Sequence, residues 1–352
     1  MTQAGVSVIV LGYGDEPWLV QCLDAILADS SVECVLVDNG IAGEVRDAIV
    51  VNDRLRVVTP TDNLGYAGGC NEGARQASGD VLVFINSDAV VAPGAIDILV
   101  EALADPSVGL VTGSIRLGDR PELINAVGNP MHYLGYTWAG GIGDDAHDHL
   151  VGGEVTCISG ATFAVTAQFW AELGGFDPTY FAYGEDVDLS IRTWQSGRSV
   201  RYVPEAVSYH YYEFSRNPRK WFLVERGRLI NVFTLYEPRT LRYVLPMLAA
   251  VEIGSLLPAT TQGWGKEKVA AWQWAWQNRD YLRRRSQQVQ RSRQLSDAQI
   301  VPRLVSRIDL PAEFGQSIPE VANTVLDRYW TWAKKRIVTA DEVVANPKSR
   351  LS

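Results

Sequence analysis

Short runs of β-branched and aliphatic residues recur along the first half of the chain, each followed by helical spacing, at intervals of about 25 residues. VSVIVL (6–11), ECVLVD (33–38), RLRVVT (54–59) and VLVFIN (81–86) read as buried strands. Between the first two, Leu19, Cys22, Leu23, Ile26 and Leu27 share one helical face, with Asp15 the expected N-cap and Pro17 in the first turn. Alternation of this kind predicts βαβ units and a mainly parallel sheet. A helix opened by Pro93 and the strand SVGLVTGSI continue the pattern. Residues 117–153 are rich in Gly, Asp and His without periodicity and read as a long functional loop. Order resumes at VTCISGATFAV, with a helix near Asp186, the strands SVRYV and AVSYHYY, and helical pattern from Pro218 onward and again over 266–293. The last 50 residues show weak patterning.

Composition narrows the class. At 352 residues, 47% hydrophobic and 21% charged, the chain can bury a sizeable core. A net charge of -9 argues against a nucleic-acid binder, whose phosphate contacts need a basic surface. Cys22, Cys34, Cys70 and Cys157 form no CxxC pair, so neither a disulfide framework nor a zinc knuckle is expected and a reducing, cytoplasmic setting fits. MTQAGVSVIVLGYG lacks a basic segment followed by a cleavable apolar run, so no signal peptide is expected.

In parallel α/β sheets ligands bind at the carboxyl ends of the strands. Asp38 closes the second strand, the loop NLGYAGG (63–69) follows the third and leads into a helix expected over 71–76, and Asn86-Ser87-Asp88 closes the fourth. Asp38 could accept the imide N–H of a pyrimidine base, or serve as an ordinary turn acid. Asn63 with Gly65, Gly68 and Gly69 would let backbone lie against a nucleotide, or simply permit a tight turn. Asp88 could hold a hard divalent cation bridging a diphosphate. In GEDVDL (184–189), Glu185 and Asp186 either cap a helix or supply a carboxylate base. His210, on a strand, is either a satisfied core histidine or a metal ligand beside Asp88. LGYGDEP superficially suggests a dinucleotide fingerprint, but Pro17 stands where its third glycine should be.

These stretches, in this order, resemble the family 2 glycosyltransferases with the GT-A fold, over about residues 6–235. The resemblance rests on VSVIVLGYGDEPWLVQCLDAIL, VLVDNG, NLGYAGGCNEGARQASGDVLVFINSD, SGATFAV, LGGFDPTYFAYGEDVDLSIRTWQSG and AVSYHYY, and is nearest to the branch transferring rhamnosyl and galactofuranosyl units onto bacterial surface glycans. It implies a Rossmann-like α/β domain over 1–235, with a nucleotide-sugar half (1–115) and an acceptor half (116–235). A mostly helical region follows over 236–352. It implies inverting transfer from a dTDP- or UDP-sugar, dTDP-rhamnose favoured, to a hydroxyl of a surface or lipid-linked glycan, with Mg²⁺ or Mn²⁺ as cofactor. Asp38 then contacts the base, Asp88 matches the second acid of the D-x-D motif, Asp186 the catalytic base with Glu185 beside it, and His210 the metal-ligating histidine. Arg226 in VERGRL matches a phosphate-pairing arginine, with a surface ion pair as the alternative. Asn86 departs from the first D-x-D acid, Cys70 from a common asparagine, and Ile41 from a serine. A sugar nucleotidyltransferase or a non-catalytic nucleotide-sugar-binding subunit are the rival readings.

The C-terminal region carries LRYVLPMLAAVEIGSLLP (241–258), broken by Pro246 and Glu252 and read as too short to span a bilayer. Trp264, Trp272, Trp274 and Trp276 then precede six arginines against one aspartate over 279–293. That combination suits peripheral contact with the inner face of the cell membrane, or a helix packed on the core or on a second subunit.

Overall fold

A computed structural model describes residues 5–212, 219–309 and 319–338. The expected helix start at Pro218, the first four residues of the N-terminus and much of the weakly patterned tail lie outside the described residues. The chain forms two compact units, residues 1–129, 139–193 and 198–217 in the first, and 130–138, 194–197 and 218–352 in the second.

The first unit runs β1 (Val6–Gly14), α1 (Leu19–Leu27), β2 (Val32–Ile41), α2 (Gly43–Asp47), β3 (Leu55–Val58), α3 (Gly65–Gln76), β4 (Val81–Asn86), β5 (Ala89–Val91) and α4 (Ala95–Ala102). It continues with β6 (Val108–Leu117), β7 (Arg120–Ala126), β8 (Gly153–Glu154), β9 (Thr162–Thr166), α5 (Ala167–Leu173), α6 (Glu185–Gln195) and β10 (Ser199–His210). The sheet order is β3-β2-β1-β4-β9-β6-β10-β5, with β7 on β6 and β8 on β10. β3, β2, β1 and β4 are all parallel, as the alternation predicts. β9 then enters antiparallel to both β4 and β6, so the sheet as a whole is mixed. Val8, Val10, Leu19, Cys22, Leu23, Ile26 and Leu36 build the core between α1 and the sheet.

Four local expectations need correction. The 117–153 excursion contains β7, antiparallel to β6, so only its later part is loop. SVRYV and AVSYHYY are one strand, β10, whose register on β6 slips between Val203 and Val207 where Pro204 interrupts the ladder. NLGYAGG is not a loop, because α3 begins at Gly65 inside it. Asp15 does not cap α1. The turn acid there is Glu16, whose carboxylate accepts the Trp18 N–H at 3.1 Å.

The second unit holds α7 (Lys220–Leu235), α8 (Pro238–Thr261), α9 (Gly265–Gln277), α10 (Arg279–Ser292), α11 (Asp297–Ile300) and α12 (Glu320–Ile337). α7, the last helix of the expected catalytic stretch 1–235, lies in the same compact unit as the helices that follow it. α7 packs on α9 and α10 and is buried nearly all round, which makes it the central helix of this unit. Its charges are paired internally. Arg228 meets Glu225 and Glu252 at 2.7 Å each, and Lys268 meets the same two acids at 3.1 and 2.6 Å.

α8 is unbroken over 24 residues, contrary to the fragmented reading of 241–258, and is long and apolar enough to cross a membrane by length and composition. Pro246 and Pro258 do not end it. The residues whose carbonyls lose an amide partner, Arg242 and Gly254, are exposed and can be solvated. Of the four tryptophans, Trp264 stacks on Trp221, Trp272 donates to Glu252 at 2.8 Å and Trp274 packs on Tyr281. Trp276, 74% exposed, is the one fully facing water, and the other three are half-buried against these partners.

Candidate active site

The carboxyl ends of three parallel strands lie level. Gly12 pairs with Asp38, and Leu11 with Asn86, so Asp38 and Asn86 stand two strand spacings apart, about 10 Å. Asp38 is buried. It accepts the N–H groups of Gly40 and Ile41 at 3.2 and 2.8 Å and pairs with Arg46 at 2.5 Å. The turn role is thus filled, and a nucleobase imide would have to share these oxygens.

A pair of amides fixes the neighbouring helix. Asn39 donates to Asn63 Oδ1 at 2.8 Å and accepts the Leu64 N–H at 2.8 Å, while Asn63 Oδ1 also accepts the Gly65 N–H at 2.8 Å. Asn39, not singled out from sequence, therefore ties the end of β2 to the start of α3. The glycines serve packing. A Cβ on Gly65 would lie 2.4 Å from the Phe181 carbonyl oxygen, and one on Gly69 would lie 2.3 Å from Leu11 Cδ1. Gly65 also has φ +67°, a conformation costly for any other residue. Gly68 is half-buried beside Leu64 and Pro178.

At the end of β4, Ser87 is half-buried in the turn and Asp88 meets His210 across 3.1 Å. Asn125 of β7 lies 3.0 Å from His210 Nδ1. Its carbonyl oxygen can only accept, so Nδ1 carries a hydrogen and Nε2 is the ring nitrogen turned to Asp88 Oδ1. With Nδ1 turned to Asn125, Nε2 and the Asp88 carboxylate face one another at a spacing that a shared cation would suit. A 3.1 Å donor separation matches adjacent vertices of an octahedral ion with bonds of about 2.1 Å, which stand about 3.0 Å apart. Asn86 Oδ1, two residues away, is buried with no hydrogen-bond partner among the described residues, as an oxygen awaiting a ligand would be. Asp88, His210 and Asn86 thus fit a hard divalent cation. No third His, Cys, Asp or Glu joins them among the described residues, leaving further positions to ligand oxygens. Trp18 stacks on Tyr211 at 3.4 Å, and the Tyr211 N–H donates to the Asp88 carbonyl at 2.8 Å, which fixes the turn.

The acid pair joins the same end of the sheet through the backbone. The Asn86 N–H donates to Ala161 at 2.9 Å, Tyr66 donates to the adjacent Gly160 carbonyl at 2.5 Å, and the Gly160 backbone hydrogen-bonds Asp186. Asp186 also accepts the Val187 N–H at 2.9 Å and faces the Asn129 amide at 3.5 Å. The third acid, Asp188, is spent on Arg192 at 2.6 Å inside the core. Burial pushes the Glu185 carboxyl up to about 8, reinforced by the Asp186 and Asp188 charges. Burial raises Asp186 as well, but the Val187 and Gly160 N–H groups and Asn129 oppose it. Glu185 thus holds its proton up to about 8, while Asp186, raised less freely because N–H donors favour its charged form, is the better placed of the two to act as a carboxylate. Asn125 and Asn129 had no visible signal in a segment that reads as loop.

Arg226 lies in the second unit, buried on α7, its guanidinium 5.3 and 5.4 Å from the ring centroids of Phe222 and Trp274. Burial removes the surface ion-pair reading.

The pH dependence of Glu185 has a definite sign. Between its ordinary value of 4.5 and about 8 the folded chain holds a proton that the unfolded chain has released, so stability falls as pH rises through that window. Glu185→Gln is expected to raise stability by on the order of 1–3 kcal/mol at pH 8, with little gain at pH 4.5. Thermal unfolding at both pH values checks this, and equal melting shifts at the two would refute it.

The strand order, with acids gathered at the strand ends, is that of the GT-A fold. The chain belongs to glycosyltransferase family 2, since the model described as "Glycosyltransferase like family 2" matches residues 3–234. It is 28% identical over 232 residues to the N-acetylglucosaminyl-diphospho-decaprenol L-rhamnosyltransferase of Mycobacterium tuberculosis (58% of this chain, 76% of that protein). It is 30% identical over 115 residues to the glycosyltransferase GlyG of Streptococcus pneumoniae (31% and 38%). In fold it is similar to GalNAc-T7, solved with UDP, GalNAc and Mn²⁺, at a TM-score of 0.52 and 18% identity. That alignment covers 61% of this chain and 45% of that one.

Proposed function

We propose that the protein is an inverting glycosyltransferase that uses a dTDP- or UDP-sugar, dTDP-rhamnose favoured, and a hydroxyl of a lipid-linked surface glycan. The carrying observation is Asp186. Its half-buried carboxylate is held by N–H donors, pairs with no Lys or Arg among the described residues, and is joined through Gly160 and Ala161 to the Asn86–Asp88 turn. Asp186 takes the acceptor hydroxyl's proton as that oxygen bonds to the anomeric carbon, and the bond from that carbon to the nucleoside diphosphate breaks. Mg²⁺ or Mn²⁺ held by Asp88, His210 and Asn86 would neutralise charge on the departing diphosphate. Asn125, 3.0 Å from His210 Nδ1, holds the ring with Nε2 turned to that position. The rhamnosyl preference follows the name of the mycobacterial relative. Four buried free thiols suit a reducing compartment, and a lipid-linked acceptor suits the cytoplasmic face of the membrane.

A screen of nucleotides and nucleotide sugars by thermal shift, followed by turnover assays, tests the reading. dTDP or UDP is expected to raise the melting temperature, and one of their sugars to be consumed. EDTA should lower the rate at least tenfold, with Mg²⁺ or Mn²⁺ restoring it. Nucleotide binding with turnover of no donor would make the chain a binding subunit. Full activity after chelation would remove the cation from Asp88 and His210.

A further inference from the structure

The second unit presents a surface that the sugar-transfer chemistry does not use. From Tyr243 to Gln262, the one charged residue of α8 is Glu252, buried against Arg228 and Lys268. The opposite side of the helix exposes Leu245, Ala249, Ala250, Ile253, Leu256 and Leu257, with Ile253 79% and Leu257 72% exposed. Nothing among the described residues covers them.

α12 extends this face. Arg239 donates to the Arg336 carbonyl at 2.7 Å, Tyr329 donates to the Tyr243 carbonyl at 2.8 Å, and the Tyr243 and Trp332 rings meet edge to face at 5.8 Å. As numbers rise along α8 they fall along α12, so the helices run antiparallel. Val321, Val325, Arg328, Trp332, Lys335 and Arg336 are exposed along α12, and their spacing puts them on one stripe. The two helices together are graded. Arg239, Arg242, Lys335 and Arg336 gather at one end, Tyr243, Tyr329 and Trp332 follow with Arg328 beside them, its long stem able to carry the charge back to the basic end, and aliphatic side chains of α8 with Val325 and Val321 complete the surface.

Cations, then aromatic rings, then aliphatic side chains is the order that matches lipid phosphates, the headgroup boundary and the acyl region. We propose that the α8–α12 face docks onto an anionic lipid bilayer, with the exposed side of α8 in the headgroup–acyl boundary and the basic end on lipid phosphates. Glu252 and its partners keep the other side of α8 on α7 and α9, so the helix is a one-sided insert and not a span. The inference rests on the membrane setting proposed above. It assigns the contact to α8 and α12 rather than to the tryptophans at 264–276, three of which are half-buried against internal partners.

The test is flotation of the full chain with vesicles of phosphatidylcholine alone or with added phosphatidylglycerol. The wild type is expected to bind the anionic vesicles at least tenfold better, less so at high salt, and Trp332 to be quenched by brominated acyl chains. Ile253→Asp with Leu257→Asp should cut binding at least tenfold with melting temperature unchanged. Arg242→Glu with Lys335→Glu should erase the preference for anionic lipid. Sugar transfer to a water-soluble acceptor should be unaffected by either pair, which separates failure of docking from failure of the enzymatic reading. Wild-type chain that ignores both vesicle types overturns the proposal without any variant. So does a wild-type dimer that the aspartates convert to monomer, since a second copy would then cover the face.

Discussion

Asp186→Asn is expected to lower sugar transfer by about 10²–10⁴-fold while leaving nucleotide affinity within a factor of a few. The amide keeps the shape of the carboxylate and can still accept the Val187 N–H on its oxygen, but it cannot take a proton. Its loss should therefore appear in kcat, and single-turnover measurement at saturating donor is the direct check. Glu185→Gln is the contrasting variant. Burial holds Glu185 protonated up to about pH 8, so this neighbour is already neutral under working conditions and its replacement should cost far less. Wild-type rate should rise with pH as Asp186 ionises, above the ordinary aspartate range because burial raises it. A Asp186→Asn enzyme with wild-type kcat would end the assignment, and a larger loss in Glu185→Gln would exchange the two roles.

Glu252→Ala is expected to destabilise the second unit by about 3–5 kcal/mol, because it leaves buried positive charge uncompensated. Arg228 and Lys268 both lose their 2.7 and 2.6 Å partner, and the Trp272 indole N–H loses its acceptor. Glu225 remains but would face two cations alone. Burial raises the Glu252 pKa, and Arg228 and Lys268 more than offset this, so the net shift is downward. A depressed carboxyl contributes stability above its ordinary value of 4.5 that disappears as pH falls through the lowered folded value. Denaturant unfolding of wild type and variant at pH 7 and at pH 3 should thus show a wide gap that narrows in acid. Coincident curves at pH 7 would mean that water solvates this cluster.

Much of the catalytic unit was legible because strands and helices there have distinct periods. β1, β2, β4 and α1 could be read from aliphatic runs and i, i+3, i+4 spacing, and the acids at their ends followed. The antiparallel entry of β9 was not legible. A five-residue buried strand carries no mark of its direction, and its partners lie far away in sequence. α3 was obscured by glycine, which reads as loop, although Gly65, Gly69 and Gly73 are there to let the helix approach β1 and its surroundings. α7 is different: a helix buried on all sides has no polar face from which its packing partners could be read. In the site, Asp88 and His210 were readable, while Asn125 and Asn129 come from a stretch whose order depends on tertiary contacts alone.

Phe181 and Tyr183, just ahead of the acid pair, hold φ values of 61° and 70°, a posture that costs a residue with a side chain about 1–2 kcal/mol. The Phe181 carbonyl also receives the Ala67 N–H at 3.1 Å, and its ring leaves no room beside Gly65. The segment bearing Asp186 is consequently clamped to the helix that follows β3. Movement at either must be felt at the other, so under the proposed roles nucleotide contact at α3 and the alignment of Asp186 would be mechanically one event.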